Sequence, residues 1–147
     1  MTALQAVLDD LETPLKPVAR FFIEPTDKDP ADEFARQSAF VRHMRRHCPS
    51  CLVAAVPNGS KDSRWTKLRK YAEGAHRGFP DQTIWWRPRE VFIPEWKNGT
   101  KMPDDDQIET LNRLLDMGFR VGVYRTKETL LQHLDLAGAP VVFGGGK

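Results

Sequence analysis

Between Ala31 and Leu134 the apolar residues switch repeatedly between helical and strand periodicity, and the order of those switches constrains the fold more than any single motif. Ala31 to Arg46 carries Phe34, Gln37, Phe40, Val41 and Met44 in one stripe, with Arg42, Arg45 and Arg46 turned away. Leu52 to Val56 reads as a buried strand that Pro57-Asn58-Gly59 ends with turn chemistry. A polar, basic helix is expected over Asp62 to Glu73. Beyond a loop closed by Gly78-Phe79-Pro80-Asp81, Thr83 to Trp86 and Val91 to Lys97 look like two strands joined through Arg87 to Glu90. Asp104 to Asp106 open another helix, where carboxylates cap free N–H groups, and Gln107, Ile108, Leu111, Leu114 and Leu115 fall on its buried side. Phe119, Val121 and Val123 make a last alternating strand, and Thr126 caps a closing helix through Leu134. Such an order predicts an α/β sandwich, a central mixed sheet flanked by helices.

A chain of 147 residues has room for one ordinary domain, not two. Residues 1–30 hold a short amphipathic stretch, Leu4, Val7, Leu8 and Leu11, and then Pro14, Pro17, Pro25 and Pro30, whose spacing argues against a long helix. This segment is expected to be an arm that packs on the domain, 31–137, or on a partner. Residues 138–147 are expected to form a flexible tail. Composition is that of a soluble protein, 40% hydrophobic and 29% charged. No run approaches the roughly 18 apolar residues of a membrane span. The N-terminus lacks a basic start and meets Asp9 and Asp10 early, so a cytoplasmic location is expected. Cys48 and Cys51 are spaced Cys-x-x-Cys after His43 and His47, but no second ligand pair completes a zinc site, and the pair ends a helix rather than opening one. Two ordinary thiols are expected.

The net charge of +2 decides little, yet basic residues dominate from Arg42 to Arg89 while acidic ones gather at Asp9 and Asp10, Asp29 to Glu33, and Asp104 to Asp106. Local asymmetry of this kind suits a polyanion. Asn58, Lys61, Arg64, Lys67, Arg69, Lys70 and Arg77 are the expected contacts to a nucleic-acid backbone. Trp65, Tyr71, Trp85, Trp86 and Trp96 could stack on bases, although strand aromatics are more often core, the reading given to Trp85 and Trp86.

Strand alternation puts Glu95 and Lys97 on one face, pointing into one site. Asp81, at the start of the neighbouring strand, could converge with Glu95 on a divalent ion such as Mg²⁺. Glu33, a carboxylate at the edge of an apolar stripe, offers a third ligand, helical phase favouring it over Asp32, and the Trp96 backbone carbonyl a fourth. Lys97 would then orient or deprotonate water, or stabilise charge developing on a phosphate. These parts suffice for metal-assisted phosphodiester hydrolysis.

Gly78-Phe79-Pro80-Asp81, then Phe92-Ile93-Pro94-Glu95-Trp96-Lys97, then Gln107 resemble the VRR-NUC domains of the PD-(D/E)XK nuclease superfamily. Pro57-Asn58-Gly59 and Glu33-x-x-x-Gln37 match the same pattern, so the resemblance covers about residues 31–135. It implies a restriction-endonuclease-like sandwich, dependence on Mg²⁺ or Mn²⁺, and DNA cleavage. Asp81, Glu95 and Glu33 would be metal ligands, Lys97 the catalytic lysine, and Gln107 a residue that orients a ligand or the substrate. Short stand-alone members resemble homodimeric resolvases, which implies branched DNA, such as a four-way junction, as substrate. Pro94 and Ser60 depart from the family pattern; Pro94 removes a ladder donor and calls for a bulge or a sheet edge. Two other classes are compatible with the residues: a nucleic-acid-binding module without catalysis, and a thiol-dependent enzyme using Cys48 and Cys51.

Overall fold

Helical and strand segments assemble into one five-stranded mixed sheet with helices on both faces in the computed structural model, which describes residues 2–12, 15–56 and 63–144. The strands are β1 (Phe22–Ile23), β2 (Leu52–Ala55), β3 (Gln82–Trp86), β4 (Glu90–Trp96) and β5 (Arg120–Tyr124), in the spatial order β1-β5-β4-β3-β2. Strands β2, β3 and β4 run antiparallel, whereas β5 lies parallel to both β4 and β1. A parallel pair needs a crossover, supplied here by α4 (Asp105–Asp116). The other helices are α1 (Ala3–Glu12), α2 (Glu33–His47), α3 (Arg64–Ala72) and α5 (Lys127–Leu136). None among the described residues is long and apolar enough to cross a membrane.

Central β4 is buried at every position after Glu90 because both of its faces are covered. Phe92 and Trp96 join Phe40, Met44, Ile84, Leu130 and Leu134 beneath α2 and α5. Val91 and Ile93 join Leu111, Val121 and Val123 beneath α4. Glu95 and Lys97, in phase with Val91 and Ile93, therefore emerge on the α4 side, at the carboxyl end of β4.

Several expectations shift in the folded chain. Asp32 is the N-cap of α2, its Oδ1 accepting from the Ala35 N–H at 2.7 Å, so the helix begins at Glu33. The buried face then runs through Arg36, Phe40, His43 and Met44, and Phe34 is exposed. Arg36 can occupy a core position because the Asp27 carboxylate grips its guanidinium at 2.7 and 2.8 Å and the Asp29 and Arg125 carbonyls accept from it. Leu52 is exposed, since β2 is an edge strand rather than a buried one. Trp86 and Trp96 are core residues; Trp85 faces outward on the opposite side of β3.

The N-terminal arm supplies the edge strand β1, which pairs with Gly122 and Val123. Just after it, the buried Glu24 carboxylate accepts from the Arg125 N–H, the Thr126 N–H and the hydroxyls of Thr126 and Thr129. Residues 139–142, expected within a loose tail, pack instead on α2. Ala139 is buried, and Val142 bonds to His43 and to the Cys48 sulfur. Both thiols are free and buried, as ordinary core cysteines are.

Candidate functional site

Pro94 sits in a central strand, a position that ordinarily excludes proline. The Lys97 N–H reaches across to Tyr124 of β5 and the Trp96 N–H points the other way, so Pro94, two residues earlier, turns its donor-less nitrogen toward β3. The β3–β4 register accordingly stops at Ile84↔Phe92. Beyond that point the strands are joined through side chains. Asp81 N–H donates to Glu95 Oε2 at 3.2 Å, Trp96 N–H donates to Asp81 Oδ2 at 3.3 Å, and the Trp96 indole donates to Gln82 Oε1 at 3.0 Å. The proline at position 94 is thus accommodated not at a sheet edge but by an opened ladder into which two carboxyl groups fit. In extended backbone a C=O points to the same side as its own N–H, so the Trp96 carbonyl faces Asp81 as well.

Lys97 is almost fully buried, its Nζ 3.5 Å from Glu95 Oε1 and 4.0 Å from Glu33 Oε1. Gln107 donates from Nε2 to Glu95 Oε1 at 2.9 Å while its own Oε1 accepts from the Asp104 N–H, so one side chain both closes the α4 capping box and fixes Glu95. Glu95 is pushed up to about 9, first by burial and then by Asp81 beside it, against the downward pull of Lys97. Glu33 Oε1 is buried without a hydrogen-bond partner and meets a second ammonium, Lys101 Nζ, at 3.9 Å. Glu33, Asp81, Glu95, Lys97 and Gln107 all line one cleft of about 960 Å³. Within it Lys97 stands between Glu33 and Glu95. Among the described residues no three His, Cys, Asp or Glu side chains are grouped so that they alone could hold a metal ion.

Helix α3 forms the opposite wall. Arg64, Lys67 and Lys70 line the cleft together with Tyr71, and Arg77 stands at its rim, its Nε 2.7 Å from Asp106 Oδ2. Arg69 is not among the lining residues and pairs with Glu73 at 3.0 Å; Trp65 is likewise outside the cleft and exposed. Asn58 and Lys61, with the whole Pro57-Asn58-Gly59 turn and Ser60, lie outside the described residues.

Lys101 is the cleft residue that reading the sequence overlooked. The signal was the Asn98-Gly99 turn after β4: the Lys101 N–H returns to the Asn98 carbonyl at 3.2 Å, which folds the lysine back over the site. Buried Arg125 donates to the carbonyls of both Asn98 and Lys101 and so holds that turn. Gly78 seats the loop before Asp81 on α4. Its φ is +75°, and an added Cβ would stand 2.5 Å from the Asp106 carbonyl. Gly78→Ala is therefore expected to destabilise by about 2 kcal/mol or more, read from urea denaturation. A change below roughly 0.5 kcal/mol, the size of a neutral surface substitution, would mean that this loop is not seated there.

No family model, no curated protein and no solved structure matches the chain.

Proposed function

We propose that this chain is a nuclease of the PD-(D/E)XK type, similar to VRR-NUC domains, that hydrolyses DNA phosphodiester bonds with Mg²⁺ or Mn²⁺. The observation that carries the reading is Lys97: a buried amine 3.5 Å from the Glu95 carboxyl group, on the floor of a cleft whose far wall is a basic helix. Burying a charge is expensive, and perturbed ionisable clusters in clefts are where chemistry concentrates.

The oxygen donors fit a hard divalent cation. Asp81 lies beside Glu95 and raises the cost of ionising it, the Trp96 carbonyl faces the same side, and Glu33 Oε1 is an acceptor left without a donor. Asp81, Glu95 and the Trp96 carbonyl would hold it, with Glu33 reaching it or holding the two lysines. What a cation adds there is Lewis-acid polarisation of a phosphoryl oxygen and a lower pKa for water. Lys97 Nζ donates to the attacking water or to a non-bridging oxygen as charge builds. Gln107 fixes the Glu95 carboxylate from α4, and Lys101 stands ready for a flanking phosphate. Arg64, Lys67 and Lys70 track the backbone rather than base edges, so DNA structure outranks sequence. A homodimer presents two such clefts, which suits paired incision of branched DNA such as a four-way junction.

The test is cleavage of labelled four-way junction, flap, single-stranded and duplex DNA with Mg²⁺ or Mn²⁺, beside EDTA and Lys97→Ala. Removing one transition-state donor of this kind is expected to slow cleavage by about 10²–10³-fold. Binding without cutting under either metal would replace the reading with that of a non-catalytic nucleic-acid-binding module.

A further inference from the structure

The cleft wall opposite the carboxyl groups carries more than cations. Arg64, Lys67, Leu68 and Tyr71 stand at i, i+3, i+4 and i+7 of α3, so the stripe that lines the cleft holds basic and apolar side chains together. Met102 lines the cleft as well, directly after Lys101, and its sulfur accepts from the buried Arg125 guanidinium at 3.3 Å. Leu68, Tyr71 and Met102 are 54%, 73% and 52% exposed. No residue of α3 is buried, so Leu68 and Tyr71 do not serve the core. Large apolar groups left exposed in a concave, charged site mark a surface for a ligand.

That ligand must offer a flat apolar face beside negative charge. The backbone of a paired duplex offers only the charge, since each base face is covered by its neighbours in the stack. An unpaired nucleotide offers both, a phosphate for the lysines and a base for the ring. Trp65, the other aromatic residue of α3, is exposed but lies outside the cleft, which leaves Tyr71 as the platform.

We propose that the cleft takes one unpaired nucleotide of a DNA strand, its base stacked on the Tyr71 ring within the patch formed with Leu68 and Met102, and its phosphates on Lys67 and Lys101. The inference rests on the reading of this cleft as a DNA site. It narrows the substrate to strands that expose a base next to the bond being cut, as at a flap, a loop or an opened branch point. Every base has a stackable face, so the site adds selectivity for DNA structure without reading sequence.

Fluorescence anisotropy with the full chain and a labelled oligothymidylate, in EDTA and in Ca²⁺, tests this without requiring a cut. The wild type is expected to bind an abasic strand of the same length and charge about tenfold more weakly. Tyr71→Ala is expected to lose a similar factor on the oligothymidylate, to bind the two strands alike, and to keep the wild-type salt dependence, because no phosphate contact is removed. Tyr71→Phe, which retains the ring, and Trp65→Ala are expected to bind as the wild type does. Lys67→Ala is expected instead to weaken both strands and to lower the slope of log affinity against log salt by roughly 0.7. Position 71 is exposed, so its variants keep the fold, which circular dichroism verifies, and the comparison of the two strands on the wild type needs no variant. Equal binding of both strands by the wild type overturns the proposal. So does binding to neither, or a loss on Trp65→Ala that Tyr71→Ala does not share. Base-dependent binding through Tyr71 with no cutting under Mg²⁺ or Mn²⁺ sustains the proposal while the nuclease reading falls. Metal-dependent cutting with binding indifferent to the bases sustains the nuclease reading and overturns the proposal.

Discussion

Glu95→Gln is expected to make the metal-free protein more stable at neutral pH while abolishing cleavage. Burial, and then the neighbouring Asp81, push Glu95 up to about 9 in the folded chain from the ordinary glutamate value of about 4.5. Between those values the folded state keeps a proton that the unfolded chain has released. Stability is therefore full below about pH 4.5 and falls as pH rises toward 9. At pH 7 the accumulated loss is on the order of 3 kcal/mol, which glutamine, neutral at every pH, does not incur. For a chain of this size that corresponds to roughly 6–12 °C in melting temperature. The amide nitrogen cannot accept from the Asp81 N–H as Glu95 Oε2 does, which offsets about 1 kcal/mol of that gain. Mg²⁺ is expected to raise the melting temperature of the wild type and not of the variant, since only the carboxylate gains from a cation. Thermal denaturation from pH 5 to 9, in EDTA and in Mg²⁺, reads all of this. The same pH slope in both proteins would place the proton elsewhere than on Glu95.

Glu24→Ala is expected to have the largest effect of the opposite sign. Four donors, from Arg125, Thr126 and Thr129, converge on one buried carboxylate, and alanine removes that acceptor from all of them, leaving only the Thr126 hydroxyl an alternative in Thr129 Oγ1. Buried groups stripped of a charged partner in this way cost about 3–5 kcal/mol. The consequence reaches the cleft. Arg125 spans from the Glu24 carbonyl to the carbonyls of Asn98 and Lys101, so loosening that residue frees the turn that carries Lys101 over Glu33. Urea denaturation should show the loss in midpoint with little change in slope. Glu24→Gln, which retains one acceptor oxygen, should fall between the two. A loss under about 1 kcal/mol for Glu24→Ala, ordinary for a point mutation, would mean that this carboxylate does not secure the arm.

Much of the architecture was legible because local chemistry and tertiary placement agree. Asp104 and Thr126 start helices as caps must, and the alternation in β4 sets Glu95 and Lys97 on one face, where they are found 3.5 Å apart. At the start of α2 helical phase favours Glu33 over Asp32, but the choice turns on the helix boundary, which the structure sets with Asp32 as the cap and Glu33 as the first helical residue.

What the sequence determined by itself is therefore the order of elements and the phase of the residues within each, since periods of 3.6 and 2 are properties of local backbone geometry. Only the tertiary structure decided the rest. Strand β1 is two residues long, too short to show a period, and exists because Gly122 and Val123 offer it a partner. Strand β2 is outermost, which exposes Leu52, because strand order depends on contacts remote in sequence. Arg36 reads as a surface residue until Asp27 and the carbonyl of Arg125, 89 residues away, satisfy it in the core. Pro94 is tolerated at the centre of the sheet because the ladder opens there and carboxylates bridge the gap. Each of these turns on a partner supplied by another part of the chain, and no local pattern encodes which part that will be.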